Sequence, residues 1–453
     1  MLVVLSDLHF SEAESTQINS QRFNRNLSPE KYKAYFQEVN QFAVANEIEK
    51  VDLVLAGDVL EISRSGIWLE GNDRPYTDND AIAPGSSIEN TILRIINAIK
   101  KEQNVAETLA LFRNIQDYFD VPVEIKLILG NHDRLANATP ATRIIVREMF
   151  GIDQGDKIIP HHFILRDTVG NPFCLVRHGH EYDPTNFGLN VHMMDCIPTE
   201  IPESIYGKAC LGDITTVEFG VSLSWLFVKH YGKNSIQKDE TLMALYKRLM
   251  EFDDVRPESA WLSFLFSTPG VEKKRTWALM KPCFTEIIHT LSRHKQFNKT
   301  LRESAALGKV LGFLLNILFK SGIFDQGVPY WLVSLLMRIA SKTIKLQSQV
   351  NFVKREALIL DQNSGCKLVI SGHTHFPEVT LISADEDDQR YYINTGTWRN
   401  VIPATKDYDA FGRLKALTKV MVFYPLEKSD ADEKRPWAFH HLSGVSYGNH
   451  RYL

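Results

Sequence analysis

The feature that most constrains this chain is a set of five short polar segments, each of which follows an apolar run typical of a buried β-strand. The segments are Asp7-Leu8-His9, Gly57-Asp58, Gly130-Asn131-His132-Asp133, His178-Gly179-His180 and Gly372-His373-Thr374-His375. Near-continuous apolar strands are covered on both faces, and functional groups of α/β proteins lie at the carboxyl ends of such strands. The pattern therefore predicts an α/β fold that brings these side chains together.

The residue types in these segments are those of a site for divalent metals. Aspartate, asparagine and neutral histidine together suit Mn²⁺, Fe or Zn²⁺ better than Ca²⁺ or a thiolate-bound metal. In the first segment, strand alternation sends Asp7 and His9 to one side while Leu8 faces the core. His373 and His375 repeat this spacing. One such segment alone is more often a cap or a turn, but five in order favour a functional site.

In this order the segments resemble the signature of the calcineurin-like metallophosphoesterase superfamily, which reads D-x-H, G-D, G-N-H-[DE], H and G-H-x-H. The resemblance covers about the first 180 residues and the region from Lys367 to Arg399. It implies a four-layer α/β/β/α sandwich of two mixed sheets. It also implies a metal-dependent enzyme that hydrolyses phosphate esters, either phosphomonoesters or phosphodiesters.

The resemblance further implies which residues hold two divalent metal ions. The first ion is held by Asp7, His9, Asp58 and His375, and the second by Asp58, Asn131, His178 and His373. Asp58 bridges the two ions, which share a water whose pKa falls to about 7, so that hydroxide attacks the phosphorus. For the position of His178, His180 is the competing ligand because it lies two residues further along the same strand face.

His132 is left without a metal, and we expect it to act as the general acid that protonates the leaving oxygen. We expect Asp133 to orient the ring of His132. Arg134 and His180 are the predicted substrate-binding residues. A surface role for Arg134 and a supporting role behind the ligands for His180 remain open alternatives.

The length of 453 residues exceeds the usual size of one domain. We predict a catalytic domain formed by residues 1–189 and 351–453, interrupted by a mostly helical insertion at residues 190–350 that acts as a cap or lid. The apolar runs of the insertion fall short of the roughly 20 residues that span a bilayer. Two amphipathic stretches could still lie on a membrane surface or cover a lipid-like substrate.

Periodicity predicts the main elements of the catalytic domain. Strands are expected at residues 2–6, 52–56, 125–129, 367–371, 378–383, 390–394 and 416–424, with residues 385–388 as a hairpin turn. One helix is expected to begin at Ser28-Pro29, and a helical stretch to cover residues 88–118. The polar loop at residues 60–88, which includes Arg64, is expected to border the active site.

The net charge and the cysteine content indicate which partners and which cellular compartment to expect. A net charge of −4 argues against broad nucleic-acid binding. The five cysteines are scattered and lack C-x-x-C spacing, which fits free thiols in a reducing, cytoplasmic setting. Because the first strand begins at Leu2, no signal peptide is expected. The sequence does not predict the oligomeric state.

UDP-diacylglucosamine hydrolases of the same superfamily also carry a helical insertion between these motifs. This chain departs from them, with His132 where they carry Arg and His178-Gly179-His180 where they carry H-G-D. A bulky or amphipathic ester is therefore a secondary expectation. Two alternatives stay open: a nuclease or nucleotide phosphodiesterase, for which lysines and arginines are too dispersed to indicate a positive groove, and a non-catalytic binding scaffold on the same fold.

Overall fold

The computed structural model describes residues 1–19, 21–23, 25–152, 155–257, 260–294, 330–331, 349–384, 389–424 and 437–446. Its strands, in chain order, are β1 (Leu2–Leu5), β2 (Gln17–Ile18), β3 (Gln21–Arg22), β4 (Val51–Ala56), β5 (Val123–Ile128), β6 (His162–Arg166), β7 (Pro172–Arg177), β8 (Val255–Arg256), β9 (Leu368–Ser371), β10 (Pro377–Ala384), β11 (Gln389–Thr395), β12 (Asn400–Pro403), β13 (Leu414–Lys415), β14 (Lys419–Phe423), β15 (Ala438–Leu442) and β16 (Val445–Ser446). All seven predicted strands are confirmed, with shifted ends. The predicted turn at residues 385–388 lies outside the described residues.

Two five-stranded mixed sheets form the centre of the molecule. The first has the order β15-β14-β1-β4-β5, and the second has the order β10-β11-β9-β7-β6. In the first sheet β4 runs parallel to both β1 and β5. In the second sheet β9 runs parallel to both β7 and β11. Each sheet therefore has a group of three parallel strands whose carboxyl ends lie at one edge.

The helices, in chain order, are α1 (Pro29–Ala45), α2 (Ser87–Lys101), α3 (Gln103–Arg113), α4 (Pro140–Met149), α5 (Glu203–Tyr206), α6 (Leu211–Thr215), α7 (Ser222–Tyr231), α8 (Lys233–Lys238), α9 (Glu240–Met250), α10 (Trp261–Phe266), α11 (Lys273–Arg293), α12 (Val350–Val353) and α13 (Ala357–Leu360). The predicted helix start is confirmed, since Ser28 caps α1 and Pro29 is its first residue. The helical stretch expected at 88–118 is interrupted at Glu102, whose extended backbone separates α2 from α3 and whose carboxylate accepts from the Val105 amide at 3.0 Å.

Alternation along the strands produces four layers. In β1, Leu2 and Val4 face the second sheet and pack with its Val176 and Ile370, while Val3 and Leu5 pack with the side chains of α1 to α4. On the other side of the second sheet, Leu175 and its neighbours pack with residues of α5, α12 and α13. The α/β/β/α sandwich predicted from the sequence is confirmed.

The described part of the insertion is helical and has a core of its own. That core is built by α7 to α11, and Ile18 from the N-terminal region packs into it. The insertion also contributes a strand to a small sheet of the order β16-β13-β12-β8, in which β8 runs parallel to β12. Residues 295–329 and 332–348, which carry two of its apolar runs, lie outside the described residues.

Among the described residues, one helical run, Glu203–Tyr231, is long and apolar enough to be compared with a membrane span. Its mean hydropathy is 1.2, and 56% of its apolar stretch is buried inside the molecule. Leu223 and Phe227 of this run belong to the core of the insertion. The run therefore packs as a core helix does.

Candidate metal centre

All seven predicted metal ligands follow directly on strands of the two central sheets. Asp7 and His9 follow β1, Asp58 follows β4 and Asn131 follows β5, all in the first sheet. The second sheet supplies the others from two adjacent parallel strands: His178 follows β7, and His373 and His375 follow β9. Because these strands end at one edge of the sandwich, residues far apart in the sequence become neighbours.

One cluster is formed by Asp7, His9 and His375. The Nε2 atoms of His9 and His375 lie 3.0 Å apart, and Asp7 Oδ1 lies 3.2 Å from His375 Nε2 and 3.7 Å from His9 Nε2. Two ligand atoms that bind one ion at roughly 2.1 Å, at about 90–110° to each other, are about 3.0–3.4 Å apart. The spacing of this cluster is therefore close to that of ligands around a single ion.

A second cluster is formed by Asp58, His178 and His373, whose ligand atoms all lie within 4.8 Å of one another. Asp58 Oδ2 lies 3.1 Å from His178 Nε2 and 3.9 Å from His9 Nε2. One carboxylate oxygen therefore faces both clusters, as a bridging ligand does. The structure thus brings together the residues that the sequence assigned to two separate ions.

A hydrogen bond of His178 and an ion-pair contact of His9 indicate which ring nitrogen faces the clusters. His178 Nδ1 lies 2.9 Å from the carbonyl oxygen of Ala56, and His9 Nδ1 lies 2.8 Å from Glu61 Oε1. Carbonyl and carboxylate oxygens accept protons in hydrogen bonds, so both Nδ1 atoms carry the proton. In the neutral rings the Nε2 lone pairs then point into the clusters, as in histidines that bind metals.

His373 is oriented by the carboxylate of Asp183, a residue that the sequence places behind the ligands or on the substrate side. Asp183 Oδ2 lies 3.2 Å from His373 Nε2 and therefore accepts its proton. Burial acts to raise the pKa of Asp183, but the contact with His373 outweighs this effect and lowers that pKa. The ionised carboxylate leaves Nδ1 of His373 as the nitrogen with a free lone pair. This is the carboxylate–histidine arrangement found behind metal ligands.

Asn131 supplies a buried oxygen that has no protein partner. Within the described part of the chain, its Oδ1 accepts no hydrogen bond. The neighbouring His132 amide donates to Asp58 Oδ1 at 2.9 Å, which places this segment directly against the second cluster. A buried amide oxygen without a donor is costly unless a cation or a water binds it. Asn131 therefore fits the role of a metal ligand.

The backbone of the ligand segments is strained. Nine non-glycine residues of the described chain have a positive φ, and five of them are predicted metal ligands. These five are Asp7, His9, Asp58, His373 and His375, with φ between 50° and 71°. Such conformations cost about 1–3 kcal/mol each and cluster at functional sites. The chain thus adopts an unfavourable backbone where it gathers the donor atoms.

Two of the motif glycines are required by close packing. A Cβ at Gly57, where φ is +83°, would lie 2.5 Å from the His178 ring. A Cβ at Gly372 would collide with the side chains of Asp7 and Ser6. Any other residue at these two positions would therefore displace a ligand. This explains why glycine precedes both Asp58 and His373.

Charge interactions within the clusters show where a cation is favoured. Burial acts to lower the pKa of His178, but the Asp58 carboxylate outweighs this effect and raises it to about 10. Burial likewise opposes protonation of His9, while Glu61 and Asp7 raise its pKa to about 8. Protons therefore bind at positions that a metal ion would take. Both clusters favour positive charge between their carboxylates.

His375 differs from the other histidines of the site. The Arg256 guanidinium, which can only donate, lies 2.6 Å from His375 Nδ1. In the neutral ring the proton is then on Nε2, where it can be donated to Asp7 or His9. Burial and Arg256 lower the pKa of His375 to about 3. For Nε2 to bind a metal, the proton must leave this nitrogen, and the Arg256 contact opposes that change.

Glu61 connects a predicted metal ligand to the predicted general acid. Its Oε1 faces His9, and its Oε2 lies 2.9 Å from His132 Nδ1. Arg399 contacts Oε1 at 3.2 Å and so fixes the carboxylate from the other side. The sequence analysis missed Glu61. A signal was present, because an acidic residue within the apolar run Val59–Ile62 is expected to be buried and paired.

Asp133 does not contact His132 in the way the sequence predicted. Its Oδ2 accepts from the Val59 amide at 2.8 Å, and its Oδ1 accepts from the Gly130 amide at 2.5 Å. Burial and the neighbouring Asp58 carboxylate raise the pKa of Asp133 to about 6. Asp133 therefore fixes the loops that carry two ligand segments. Glu61, rather than Asp133, orients the His132 ring.

Arg134 was predicted to bind the substrate, but in the structure it is buried and its side chain is occupied by protein contacts. It is 5% exposed, and its terminal nitrogens donate to the carbonyl oxygens of Pro75, Thr77 and Gly207 and contact Asp213. These contacts join the loop after Asp58 to the first helices of the insertion. The side chain is buried because backbone acceptors from both segments converge on it.

His180 lies behind the second cluster. Its ring packs against Phe187 and Tyr206 and is 5.4 Å from the ring of His178. Burial lowers its pKa to about 3, so the ring is neutral. His178, rather than His180, belongs to the cluster with Asp58 and His373. The choice between the two histidines made from the sequence therefore agrees with the geometry.

No family model and no curated protein matches this chain. The metallophosphoesterase resemblance consequently depends on the five sequence segments.

Proposed function

We propose that the protein is a binuclear metal-dependent phosphoesterase of the calcineurin-like metallophosphoesterase superfamily. The observation that carries this proposal is the placement of Asp58, whose Oδ2 faces both His9 and His178 in clusters of buried donor atoms. A structural role alone would not require buried lone pairs that face one another. The same arrangement suits a site where two cations bind side by side.

The residues present fit a pair of divalent ions such as Mn²⁺, Fe or Zn²⁺. Asp7, His9, Asp58 and His375 would hold one ion, and Asp58, Asn131, His178 and His373 would hold the other. When bound, two such ions supply Lewis acidity toward a phosphoryl group and a nucleophile at neutral pH. The protein itself contributes the fixed positions of these donors.

His132 is positioned to give a proton to the leaving oxygen. Its side chain is 18% exposed, whereas those of His9 and His178 are 3% and 0% exposed. Glu61 accepts the Nδ1 proton of His132, so Nε2 is the atom that faces outward and transfers a proton. The Glu61 carboxylate also balances the positive charge of the protonated ring. A proton donor beside the metal centre allows hydrolysis of esters whose leaving groups are poor.

The proposed setting is the cytoplasm. All five cysteines are free thiols, and three of them are buried. Thiols of this kind are typical of proteins in a reducing compartment.

The test is hydrolysis of aryl phosphates by the full-length protein loaded with Mn²⁺. We expect metal-dependent cleavage of p-nitrophenyl phosphate or bis-p-nitrophenyl phosphate, which distinguishes a monoesterase from a diesterase, and loss of cleavage in Asp58→Asn. His132→Ala should lower kcat by roughly 10²–10⁴ for the phenyl esters and by less for the p-nitrophenyl esters, because only the poorer leaving group needs the proton.

The control is His230→Ala, which removes a histidine that is paired with Glu286 on the insertion and 30% exposed. This variant should keep full activity. If the Mn²⁺-loaded wild-type protein cleaves neither class of ester, the proposed function is wrong.

A further inference from the structure

Three buried arginines from separate parts of the chain converge on one carboxylate oxygen. Arg25 and Arg399 each lie 2.9 Å from Asp253 Oδ2, and Arg64 contacts the same atom. Arg25 is 7% exposed, Arg399 is 2% exposed and Arg64 is 9% exposed. Asp253 belongs to the insertion, whereas the arginines belong to the catalytic part of the chain. We call these three residues the arginine cluster.

Asp253 provides too few acceptor atoms for the guanidinium groups of the arginine cluster. A single oxygen, Oδ2, accepts hydrogen bonds from Arg25 and Arg399 and also contacts Arg64, while Oδ1 of the same carboxylate has no hydrogen-bond partner in the described chain. The Nε atoms of Arg25 and Arg399 are also buried without described acceptors. Guanidinium groups prefer to donate through two nitrogens to two oxygens of an anion. The cluster thus offers more donors than Asp253 can accept.

Carboxylates other than Asp253 also act on the arginine cluster. Arg399 contacts two further carboxylates, Glu61 at 3.2 Å and Asp254 at 2.9 Å. Glu12, whose charge also acts on Arg25, accepts from Ser15 and Ser65 through Oε1, and burial raises its pKa. Among the described residues, Asp253 is the one carboxylate that Arg64 contacts, so Arg64 is the guanidinium that a second anion would stabilise most.

The pKa values of Arg64 and Arg25 shift in the direction that repulsion between neighbouring guanidinium groups requires. Burial and the neighbouring Arg25 lower the pKa of Arg64 to about 9. Burial and Arg399 also lower the pKa of Arg25. These shifts agree with the contacts, which place guanidinium groups from three segments around Asp253, while Glu61 and Asp254 act on both pKa values in the opposite direction.

A cavity borders the arginine cluster. It has a volume of about 370 Å³, and Arg25 and Arg64 line it together with the apolar side chains of Ile67, Trp225 and Tyr246. Ligand sites in proteins typically have volumes of about 300–1,000 Å³ and combine apolar walls with a few polar groups. Arg25 also lines a larger cavity of about 680 Å³. Room for a ligand therefore exists beside the cluster.

Contacts connect the arginine cluster to the candidate metal centre. Arg399 contacts Glu61, and Glu61 in turn contacts both His9 and His132. An anion in the cluster would therefore be separated from the metal ligands by two side chains. A substrate that reached both places would carry its two anionic groups on a linker rather than as a pyrophosphate.

We propose that Arg25, Arg64 and Arg399 form a subsite for a second phosphate group of the substrate, and that Asp253 fills this subsite when the phosphate is absent. The inference rests on the proposed function, because it names the substrate class as a phosphate ester that carries another phosphate some distance away. A phosphate offers each guanidinium an oxygen of its own and up to two negative charges. A monocarboxylate offers neither.

The first experiment uses the metal-free full-length protein in EDTA and inorganic phosphate as the probe. Calorimetric titration should show binding to the wild-type protein. Arg64→Lys, which keeps the charge and loses the planar donor pair, should weaken this binding at least tenfold, whereas Arg94→Lys, on an exposed surface pair, should not change it. Asp253→Asn should bind phosphate more tightly than the wild-type protein, because the competing carboxylate is gone.

Different outcomes separate the subsite from a merely structural cluster. If Asp253 only connects the insertion to the catalytic part, Asp253→Asn will unfold at a lower temperature and phosphate will not restore its stability. Phosphate binding that is unchanged in both Arg64→Lys and Asp253→Asn would overturn the proposal. If Asp253→Asn does not fold, the phosphate titration of Arg64→Lys still tests the proposal.

The second experiment uses the Mn²⁺-loaded enzyme and compares adenosine 3′,5′-bisphosphate with adenosine 5′-monophosphate as sources of released phosphate. We expect a KM at least tenfold lower for the bisphosphate and loss of this preference in Arg64→Lys. Equal KM values for the two nucleotides would overturn the proposal. The phosphate titration needs no metal, so an enzyme inactive on all esters would refute the proposed function and leave the subsite result standing.

Discussion

At the scale of single residues, the predicted metal ligands have backbone conformations that residues other than glycine rarely adopt. Five of them have a positive φ, at a cost of about 1–3 kcal/mol each. The buried strands that precede them, such as Leu2–Leu5 and Val51–Ala56, hold these residues in place. The strain is thus imposed by a rigid framework, and it brings donor atoms together that would otherwise repel one another.

Glu61 gives the most informative substitution at this scale. We expect Glu61→Gln to lower kcat/KM by roughly 10–100-fold and to weaken metal binding, because the one amide oxygen can accept the proton of only one of the two rings, His9 or His132. The measurement is steady-state hydrolysis of an aryl phosphate together with a Mn²⁺ titration. Glu70→Gln, on the exposed pair with Arg94, is the control and should behave as wild type. If the kinetics of Glu61→Gln equal those of the wild-type protein, Glu61 does not position the two histidine rings.

The sequence was informative about the ligands and less so about their partners. The ligand positions were predictable because carboxylate and imidazole groups directly after apolar strands are rarely accidental. The partner of His132 was not, because Asp133 and Glu61 are both acidic and near a ligand in the sequence. Only the folded chain shows that Asp133 accepts from backbone amides.

At the scale of elements, the site depends on two sheets that end at the same edge. The ends of β1, β4 and β5 face those of β7 and β9, so loops from both sheets meet. Strand positions were predictable from their apolar runs. The break between α2 and α3 was not, because residues 88–118 contain no glycine or proline that would end a helix.

A substitution of Arg134 tests how the loops around the candidate metal centre are connected. We expect Arg134→Gln to lower the free energy of unfolding by roughly 1–3 kcal/mol, because several buried carbonyl groups lose a charged donor. KM should stay within a factor of two. Urea unfolding and steady-state kinetics measure the two quantities. Arg94→Gln, on the exposed surface, should change stability by less than about 0.5 kcal/mol.

An increase in KM without a loss of stability in Arg134→Gln would support the substrate-binding role that the sequence predicted. The contacts of the guanidinium argue for the structural role instead.

At the scale of the whole molecule, the helical insertion contacts the part of the chain that carries the candidate metal centre at several points. Strand β8 pairs with β12, Asp253 contacts the arginine cluster, and Arg256 reaches His375. The helical character of the insertion was predictable from its apolar periodicity. Its contacts with the site were not, because they join residues more than a hundred positions apart in the sequence.

Metal binding should depend on pH through His178. The Asp58 carboxylate raises the pKa of this ring to about 10 against the effect of burial, so the metal-free protein holds a proton there at neutral pH. A metal must displace that proton, and the measured metal affinity should therefore rise from pH 7 to pH 9. Because the folded pKa exceeds the ordinary value, the proton stabilises the metal-free fold below about pH 6.5 and this contribution is lost toward pH 10.

The measurement is a titration of the metal-free protein with Mn²⁺ at several pH values, in buffers that report proton release. An affinity that does not change between pH 7 and pH 9 would contradict the assignment of His178.

The number of metal ions per chain tests the central claim most directly. The full-length protein is loaded with Mn²⁺, freed of excess metal by gel filtration and analysed by elemental mass spectrometry. We expect two ions per chain in the wild-type protein and at most one in Asp58→Asn, because both clusters lose their shared carboxylate. Asp52→Asn, on the preceding strand and paired with Lys50, should keep two ions. A wild-type protein that binds no ion, or an Asp58→Asn variant that keeps two, would contradict the account.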